Sequence, residues 1–489
     1  MLKNIISAET AAAGSYDVIL IGTGFGSSFF LKRLLEEQRP LKVLALEAGP
    51  YTPAAWQAEH EQNSYADYKA TYSTESPKPW QFTWGFGGGT NCWFAQTPRF
   101  LPSDFRTKTL YGIGDDWPLD YAALEPYYQL AEDFMGISGP EDMATILPRS
   151  KPFPQPPHRF TAVDRLMKKA QPDRHFVMPT ARARVATETR NACCASLRCG
   201  HCPANAKFNA DNGVLPLYND PRVSVCLEAP VTTIDHDASQ VSGVRFSHGG
   251  KDYKAKADLI VLGANAIHAP AILLRSGMSD GPVGQGIHES YGARFEIMLD
   301  GVDNLDGSTI TTGINYTPYI GDFRKDVGGS LLQFDNSWKG GLRAEPGRWR
   351  QKLNLIAVTE DLWEAENHVT ADPLDPRKAI VHYKGPSDYA VKGMDRLRAT
   401  LPQILSPLPV ERIDFQGIRD TEAHLQGTLK MGSAKATSVA DAWSAHHRWR
   451  NLIITGTSTF PTCSCANPSL TAAALSIRAA DKLYRSTAI

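Results

Sequence analysis

The sequence predicts an α/β protein in which a Rossmann-like dinucleotide-binding domain is joined to a second domain built on an antiparallel sheet. A glycine turn set between an apolar strand and a helix predicts the first part. A further apolar run at 259–262 supplies another strand to the same sheet, and RVSVCLEAPVTTI (222–234) reads as a strand and its return. Stretches that alternate apolar and polar residues, at 330–338 and 353–363, predict the antiparallel sheet.

The segment YDVILIGTGFGSSFFLKRLLEEQRPLKVLALEAGP (16–50) carries the first of these readings. Val18, Ile19, Leu20 and Ile21 form a short strand that runs into Gly22-Thr23-Gly24. Gly22 permits the tight turn, and Gly24 lets backbone N–H groups approach a pyrophosphate at the helix N-terminus. Phe29, Phe30, Leu34 and Leu35 give the helix a face to lay on a sheet. A second strand, Val43-Leu44-Ala45-Leu46, ends at Glu47, placed to accept hydrogen bonds from ribose hydroxyls. The third glycine of the usual fingerprint is Ser27, so helix–strand packing there must take in a hydroxyl.

Composition narrows the class. At 489 residues the chain has room for two or three domains, and its 42% hydrophobic and 21% charged residues are ordinary for a globular protein. A formal net charge of −1 gives no sign of a polyanionic partner such as nucleic acid. No apolar run reaches the roughly eighteen residues of a membrane-spanning helix. Glu9 interrupts the N-terminal stretch before a signal-like core forms, which predicts the cytoplasm, or the periplasm if an exported partner carries the chain across.

Four further blocks identify a family. WGFGGGTNCWFAQTPRFLPSDF (84–105), GDDWPLDYAALEPYYQLAEDFMGISGP (114–140), LIVLGANAIHAPAILLRSG (259–277) and NLIITGTSTFPTCSCANPSLTAAALSIRAADKL (451–483) resemble the glucose–methanol–choline (GMC) oxidoreductases, in the family's order and over nearly the whole chain. Within that family the sequence is most similar to bacterial FAD-dependent sugar dehydrogenases of the glucose and gluconate types. Pyranose oxidase is a more distant resemblance.

The resemblance implies FAD, held by Gly22, Gly24, Ser27 and Glu47, by Gly88, Gly89, Asn91 and Cys92 of the second glycine turn, by the Val231 backbone at the adenine, and by Thr457 and Pro468. In some relatives a histidine linked covalently to the flavin stands where Cys92 stands here. The family's usual acid near the last Pro-Thr step is replaced by Gly456 and Thr457, which puts pyrophosphate or ribityl contacts there in question. A helix after Asn467-Pro468 would start at the flavin and set polar N–H groups where negative charge builds on reduction.

The same resemblance predicts a discontinuous FAD-binding domain at 1–50, 80–130, 190–285 and 440–489. The substrate domain would comprise 51–79, 131–189 and 286–439. It also assigns His424, in AHLQGTLKMG, as the base for the substrate hydroxyl, with Asn467 orienting the substrate oxygen. Histidine suits the role because its unperturbed pKa lies near neutrality. His201, His268 and His288 lack such a motif and read as structural.

The cysteine-rich loop at 191–209, NACCASLRCGHCPANAKFN, packs four of the chain's eight cysteines into ten residues. Cys193, Cys194, Cys199 and Cys202 suit an iron–sulfur cluster, a zinc site, a Cys199–Cys202 bridge or a plain loop. Resemblance to the sugar dehydrogenases favours a [3Fe-4S] cluster, although the last interval is one residue shorter than in those relatives. It also implies a small chaperone-like subunit and a cytochrome or other electron acceptor as partners. A direct reaction with oxygen, or a flavin-binding electron-transfer subunit, are the competing readings.

Overall fold

The computed structural model describes residues 1–37, 39–196, 198–336 and 348–486. Residues 337 and 338, at the end of one expected alternating stretch, lie outside the described residues, as do 38 and 197.

The first sheet takes its strands in the order Val223–Cys226, Val43–Leu46, Ser15–Ile21, Lys251–Leu262, Val241–His248 and Val231–His236, with Leu452–Ile454 also pairing Lys251–Leu262. The first four strands are parallel, and the last two fold back antiparallel. Strand residues 18–21 and 43–46 are all buried, as expected of parallel strands covered on both faces. The glycine-capped helix Phe25–Leu35 packs on this sheet beside the long C-terminal helix Ser469–Ser486. Helix Tyr121–Met135 braces the latter, with the Tyr128 hydroxyl 2.8 Å from Thr471 Oγ1.

One expectation is corrected here. Residues 222–234 read as a strand and its return, yet Val223–Cys226 and Val231–His236 occupy opposite edges of the sheet. The intervening residues cross the carboxyl ends of the parallel strands, with Ala229 N–H bonded to the Glu47 carbonyl and Glu228 N–H to that of Gly49. That crossing carries Pro230 and Val231 to the mouth of the nucleotide cleft.

The second sheet is antiparallel throughout, in the order Val410–Ile418, Tyr291–Leu299, Lys352–Thr359, Ser330–Asp335, Thr311–Asn315 and His175–Val177. Its two-residue period sorts the side chains. Phe295, Ile297, Leu332, Phe334, Leu353 and Leu355 bury themselves with Met394, Leu397 and Leu401 of helix Asp388–Ile404. The other parity, Arg294, Gln333, Asp335 and Ile356, faces a cavity shared with the first sheet. A small third sheet joins Tyr72–Thr74 to His368–Ala371 and Ala379–His382.

Candidate active site

Between the two sheets lies a cavity of about 640 Å³, in the range of small-molecule sites. One end is made of backbone. Gly22 has φ +87° and Gly88 φ +50°, conformations that side chains rarely adopt. The two glycine turns touch: a Cβ on Gly88 would lie 3.0 Å from Gly24 Cα. Thr23 Oγ1 accepts the Gly87 N–H at 2.9 Å and donates to Glu47 at 2.6 Å, so one hydroxyl clamps both turns to the acid. Glu47 also accepts the N–H groups of Thr23 and Gly49, each at 3.0 Å. Burial raises its pKa against those hydrogen bonds.

Ser27 finds its room in a neighbour. A Cβ on Gly263, just past strand Lys251–Leu262, would sit 2.2 Å from Ser27 Oγ, so a glycine on the strand side admits the hydroxyl on the helix side. Gly22, Gly24, Glu47, Gly88, Gly89, Cys92, Val231, Thr457, Asn467 and Pro468 all line the cavity. Asn91 instead turns its amide to the Phe86 and Gly88 carbonyls, at 2.7 and 3.2 Å, and holds the second glycine turn in shape. Helix Ser469–Ser486 begins at the cavity wall, where Ser469 and Ala472 contribute to the lining. The cradle free of Cβ atoms, the buried acid and the helix start fit an FAD: the glycine turns and Glu47 would hold its nucleotide end, and residues 467–469 its ring end.

At the far end His424 and Asn467 meet. Asn467 Nδ2 lies 3.3 Å from His424 Nε2, and His424 Nδ1 lies 3.1 Å from Ser290 Oγ. Gln333 Nε2 points to Asn467 Oδ1 at 3.5 Å. Because an amide Nδ2 can only donate, Nε2 is the acceptor nitrogen of a neutral imidazole whose Nδ1–H donates to Ser290. Burial, with Arg419 adding repulsion, pulls the His424 pKa down to about 3. The ring is therefore an unprotonated acceptor across the neutral range.

Glu289 fixes the loop that carries this histidine. Its carboxylate accepts the N–H groups of His424 at 3.0 Å and Glu422 at 3.2 Å, and pairs with Lys78. Ala423, between them, takes φ +57°. Glu422, lodged against Arg419 at 2.5 Å, is raised by burial to about 7. Ser290, Glu289, Gln333 and Glu422 were not foreseen, since isolated polar residues on unrelated strands and loops carry no local motif. Of the histidines read as structural, His288 is buried against the Gly286 carbonyl at 2.7 Å. His201 and His268 stand in the cavity wall, bonded to Asn63 at 2.8 Å and to the Thr71 carbonyl at 3.1 Å.

The cysteine loop borders the same cavity through Gly200 and His201. Cys199 is buried, Cys193 and Cys202 half-buried, and Cys194 exposed, all as free thiols. Cys193 and Cys202 lie within electrostatic reach of Cys199. Among the described residues no three His, Cys, Asp or Glu side chains converge on a metal-holding point. The four-cysteine ligand set expected from the sequence is not assembled in this arrangement. Among the described residues, the buried Nε and Nη2 of Arg182, next to Cys199, have no hydrogen-bond partner.

A glycine-lined dinucleotide cleft that opens onto a half-buried neutral histidine defines a flavin-type oxidoreductase site. GMC oxidoreductase family models match residues 177–291 and 363–476. The fructose dehydrogenase large subunit of Gluconobacter japonicus is 27% identical over 98% of this chain and 99% of that protein. The 6'''-hydroxyparomomycin C oxidase of Streptomyces lividus is 27% identical over 95% of this chain and 90% of that protein. Pyridoxine 4-oxidase from Mesorbium loti, at 15% identity, shares the fold with a TM-score of 0.67 over 96% of this chain and 99% of its own. The chain belongs to the GMC oxidoreductases and is an FAD-dependent oxidoreductase acting on CH–OH groups.

Proposed function

We propose that the protein oxidises a hydroxyl of a sugar or glycoside, with His424 as the base and Asn467 orienting the substrate oxygen. The observation that carries this reading is the 3.3 Å His424–Asn467 contact at the ring end of the cleft. When bound, FAD supplies the two-electron acceptor for the hydride that leaves the carbinol carbon. The chain's own part is to hold and deprotonate. His424 Nε2 takes the hydroxyl proton, and Ser290 keeps the ring in the tautomer that can do so. The incoming hydroxyl displaces Asn467 Nδ2 from that nitrogen, and Asn467 donates to the substrate oxygen instead, which fixes the line of approach.

The cavity wall supports a polyhydroxylated substrate. Gln96 Nε2 donates to Thr311 Oγ1 at 2.7 Å, which donates to Asp335 at 2.6 Å, and Gln333 and Arg294 continue the polar face. Phe94, 48% exposed, adds an apolar ring to the lining. Relatives named for fructose and for an aminoglycoside favour the same substrate class.

Were the cysteine loop to gather a [3Fe-4S] centre, Cys193, Cys199 and Cys202 would hold it, and it would supply a one-electron exit toward a partner subunit and a cytochrome-type acceptor. Its support is the thiol chemistry of Cys193, Cys199 and Cys202, their place beside the flavin loop, and a relative named as a large subunit. The test supplies a panel of sugars, polyols and glycosides to the FAD-loaded enzyme with either oxygen or a one-electron dye as acceptor. Turnover with dye and little with oxygen is the expected result. Oxygen consumption at full rate would make the protein an oxidase, and no turnover with any hydroxyl compound would overturn the substrate reading.

A further inference from the structure

Four arginines line the cavity, and three of them are engaged. Arg275 donates to the carbonyls of Thr232 and Lys378, both at 3.0 Å, while Arg377 pairs with Asp375 and Arg419 with Glu422. Arg294 alone of the four makes no hydrogen bond or ion pair among the described residues. It is exposed in the cavity wall, on strand Tyr291–Leu299, which begins directly after the Ser290 that holds the His424 ring. Sheet register fixes its distance from the chemistry. Arg294 pairs with Ile356, and Ile356 pairs with Gln333, so the three form one row on the cavity face. Two strand spacings, about 10 Å, separate the Arg294 and Gln333 backbones, and Gln333 Nε2 reaches Asn467 at 3.5 Å. That separation suits a substrate whose hydroxyl reacts at His424 and Asn467 while a substituent further along its carbon skeleton meets Arg294.

The charges that face Arg294 are Arg419, Glu422 and Asp335. Both carboxylates already have donors: Glu422 accepts from Arg419 at 2.5 Å, and Asp335 from the Thr311 hydroxyl at 2.6 Å. A Cβ on Gly292 would collide with the Glu422 carboxylate, so a glycine two residues before Arg294 lets that acid lie against Arg419 rather than reach forward. Partial burial and repulsion from Arg419 lower the Arg294 pKa from its ordinary value, a cost that an incoming anion would offset. We infer that Arg294 is a specificity-determining residue that binds an anionic substituent, a carboxylate or a phosphate, on the sugar substrate. This inference rests on the sugar or glycoside reading above and names the substituent that the substrate carries. A guanidinium presents a planar fork of donors that matches either group in two parallel hydrogen bonds. A neutral sugar at the same place leaves the desolvated cation without an anion. The pyrophosphate of a bound dinucleotide does not compete, because the glycine turns that suit it lie at the other end of the cavity.

The test gives the FAD-loaded full chain matched sets of neutral hexoses, their aldonic and uronic acids, and their phosphate monoesters. Binding is read without oxygen from the perturbation of flavin absorbance, and turnover from a dye acceptor. Wild type, Arg294→Gln and Arg294→Lys are compared, with flavin per chain as the check on folding. The expected result is tighter binding of one anionic set in wild type, and the set that gains identifies the group as carboxylate or phosphate. In Arg294→Gln the ratio of acid to neutral binding should fall about 10–100-fold, the usual worth of hydrogen bonds to a charged group, through KM rather than kcat. Arg294→Lys should regain part of that ratio. Wild type that favours neutral sugars, or a ratio unchanged in Arg294→Gln, would overturn the inference and leave the sugar reading standing. Binding of the acids that depends on Arg294, with no turnover of any hydroxyl compound, would support the anion site and overturn the reading of the reaction. If Arg294→Gln fails to hold flavin, Arg294→Lys is read in its place. A lowered ratio there supports the site, since an ammonium lacks the planar fork, and an unchanged ratio overturns it.

Discussion

The two ends of the cavity are built from different materials. The nucleotide end is backbone: two glycine turns in contact, an acid that accepts the N–H groups of Thr23 and Gly49, and a helix start. The catalytic end is side chain: His424, Asn467, Ser290, Gln333 and Glu289, drawn from four separate segments. The first fails when any atom is added, because there is no space. The second fails when a hydrogen bond is removed, because orientation is its only product. Binding and chemistry should therefore separate cleanly under mutation.

That separation can be broken at either end. His424→Asn should lower the turnover number by about 10²–10⁴-fold, the usual worth of a positioned general base, while flavin absorbance per chain stays at the wild-type level. Equal losses of flavin and turnover would show that the ends are coupled. Gly88→Ala should do the reverse. Its left-handed backbone costs roughly 1–2 kcal/mol with a side chain, and the added Cβ meets Gly24 at 3.0 Å. Purified protein should hold markedly less flavin, read as the absorbance ratio of flavin to protein. Ser290→Ala should cost about tenfold in turnover, roughly the one hydrogen bond that selects the tautomer, with KM little changed in steady-state kinetics.

A smaller effect sharpens the account through pH. The folded His424 pKa of about 3 lies below its ordinary 6.5. Burial likewise holds His268 and His288 near 4. Below pH 6.5 the unfolded chain takes up protons that the folded chain refuses, so stability is full above that pH and declines as pH falls toward 4 and then 3. Melting temperatures should drop steadily from pH 7 to pH 5, less steeply in His288→Gln. Over the same interval the turnover number should show no titration at 6.5, because His424 stays neutral.

The backbone-built end was legible because glycine is the residue that such conformations demand. Gly22, Gly24 and Gly88 announce themselves, and Glu47 follows one strand later. Gly263, which makes room for Ser27, could not be paired with it in advance, because the contact spans more than two hundred positions. The crossing of residues 227–230 to the far edge was misread as a simple return, since a turn signal says that a chain leaves a strand and not where it arrives. At the catalytic end His424 and Asn467 were visible through family motifs alone. Ser290, Glu289 and Gln333 were not, because a polar residue on a strand becomes a partner only when the sheet register sets it there. The cysteine loop was the most conspicuous stretch of the sequence, but Arg182, which reaches Cys199 Sγ at 3.6 Å, lies outside it and carried no local signal.

The most direct test is a single-turnover experiment without oxygen, mixing FAD-loaded enzyme with the best sugar or glycoside and following the bleaching of the flavin. Complete bleaching in wild type, slowed at least about 10²-fold in His424→Asn with the flavin still bound, is the predicted result. Equal bleaching rates in both proteins would contradict the assignment of His424 as the base.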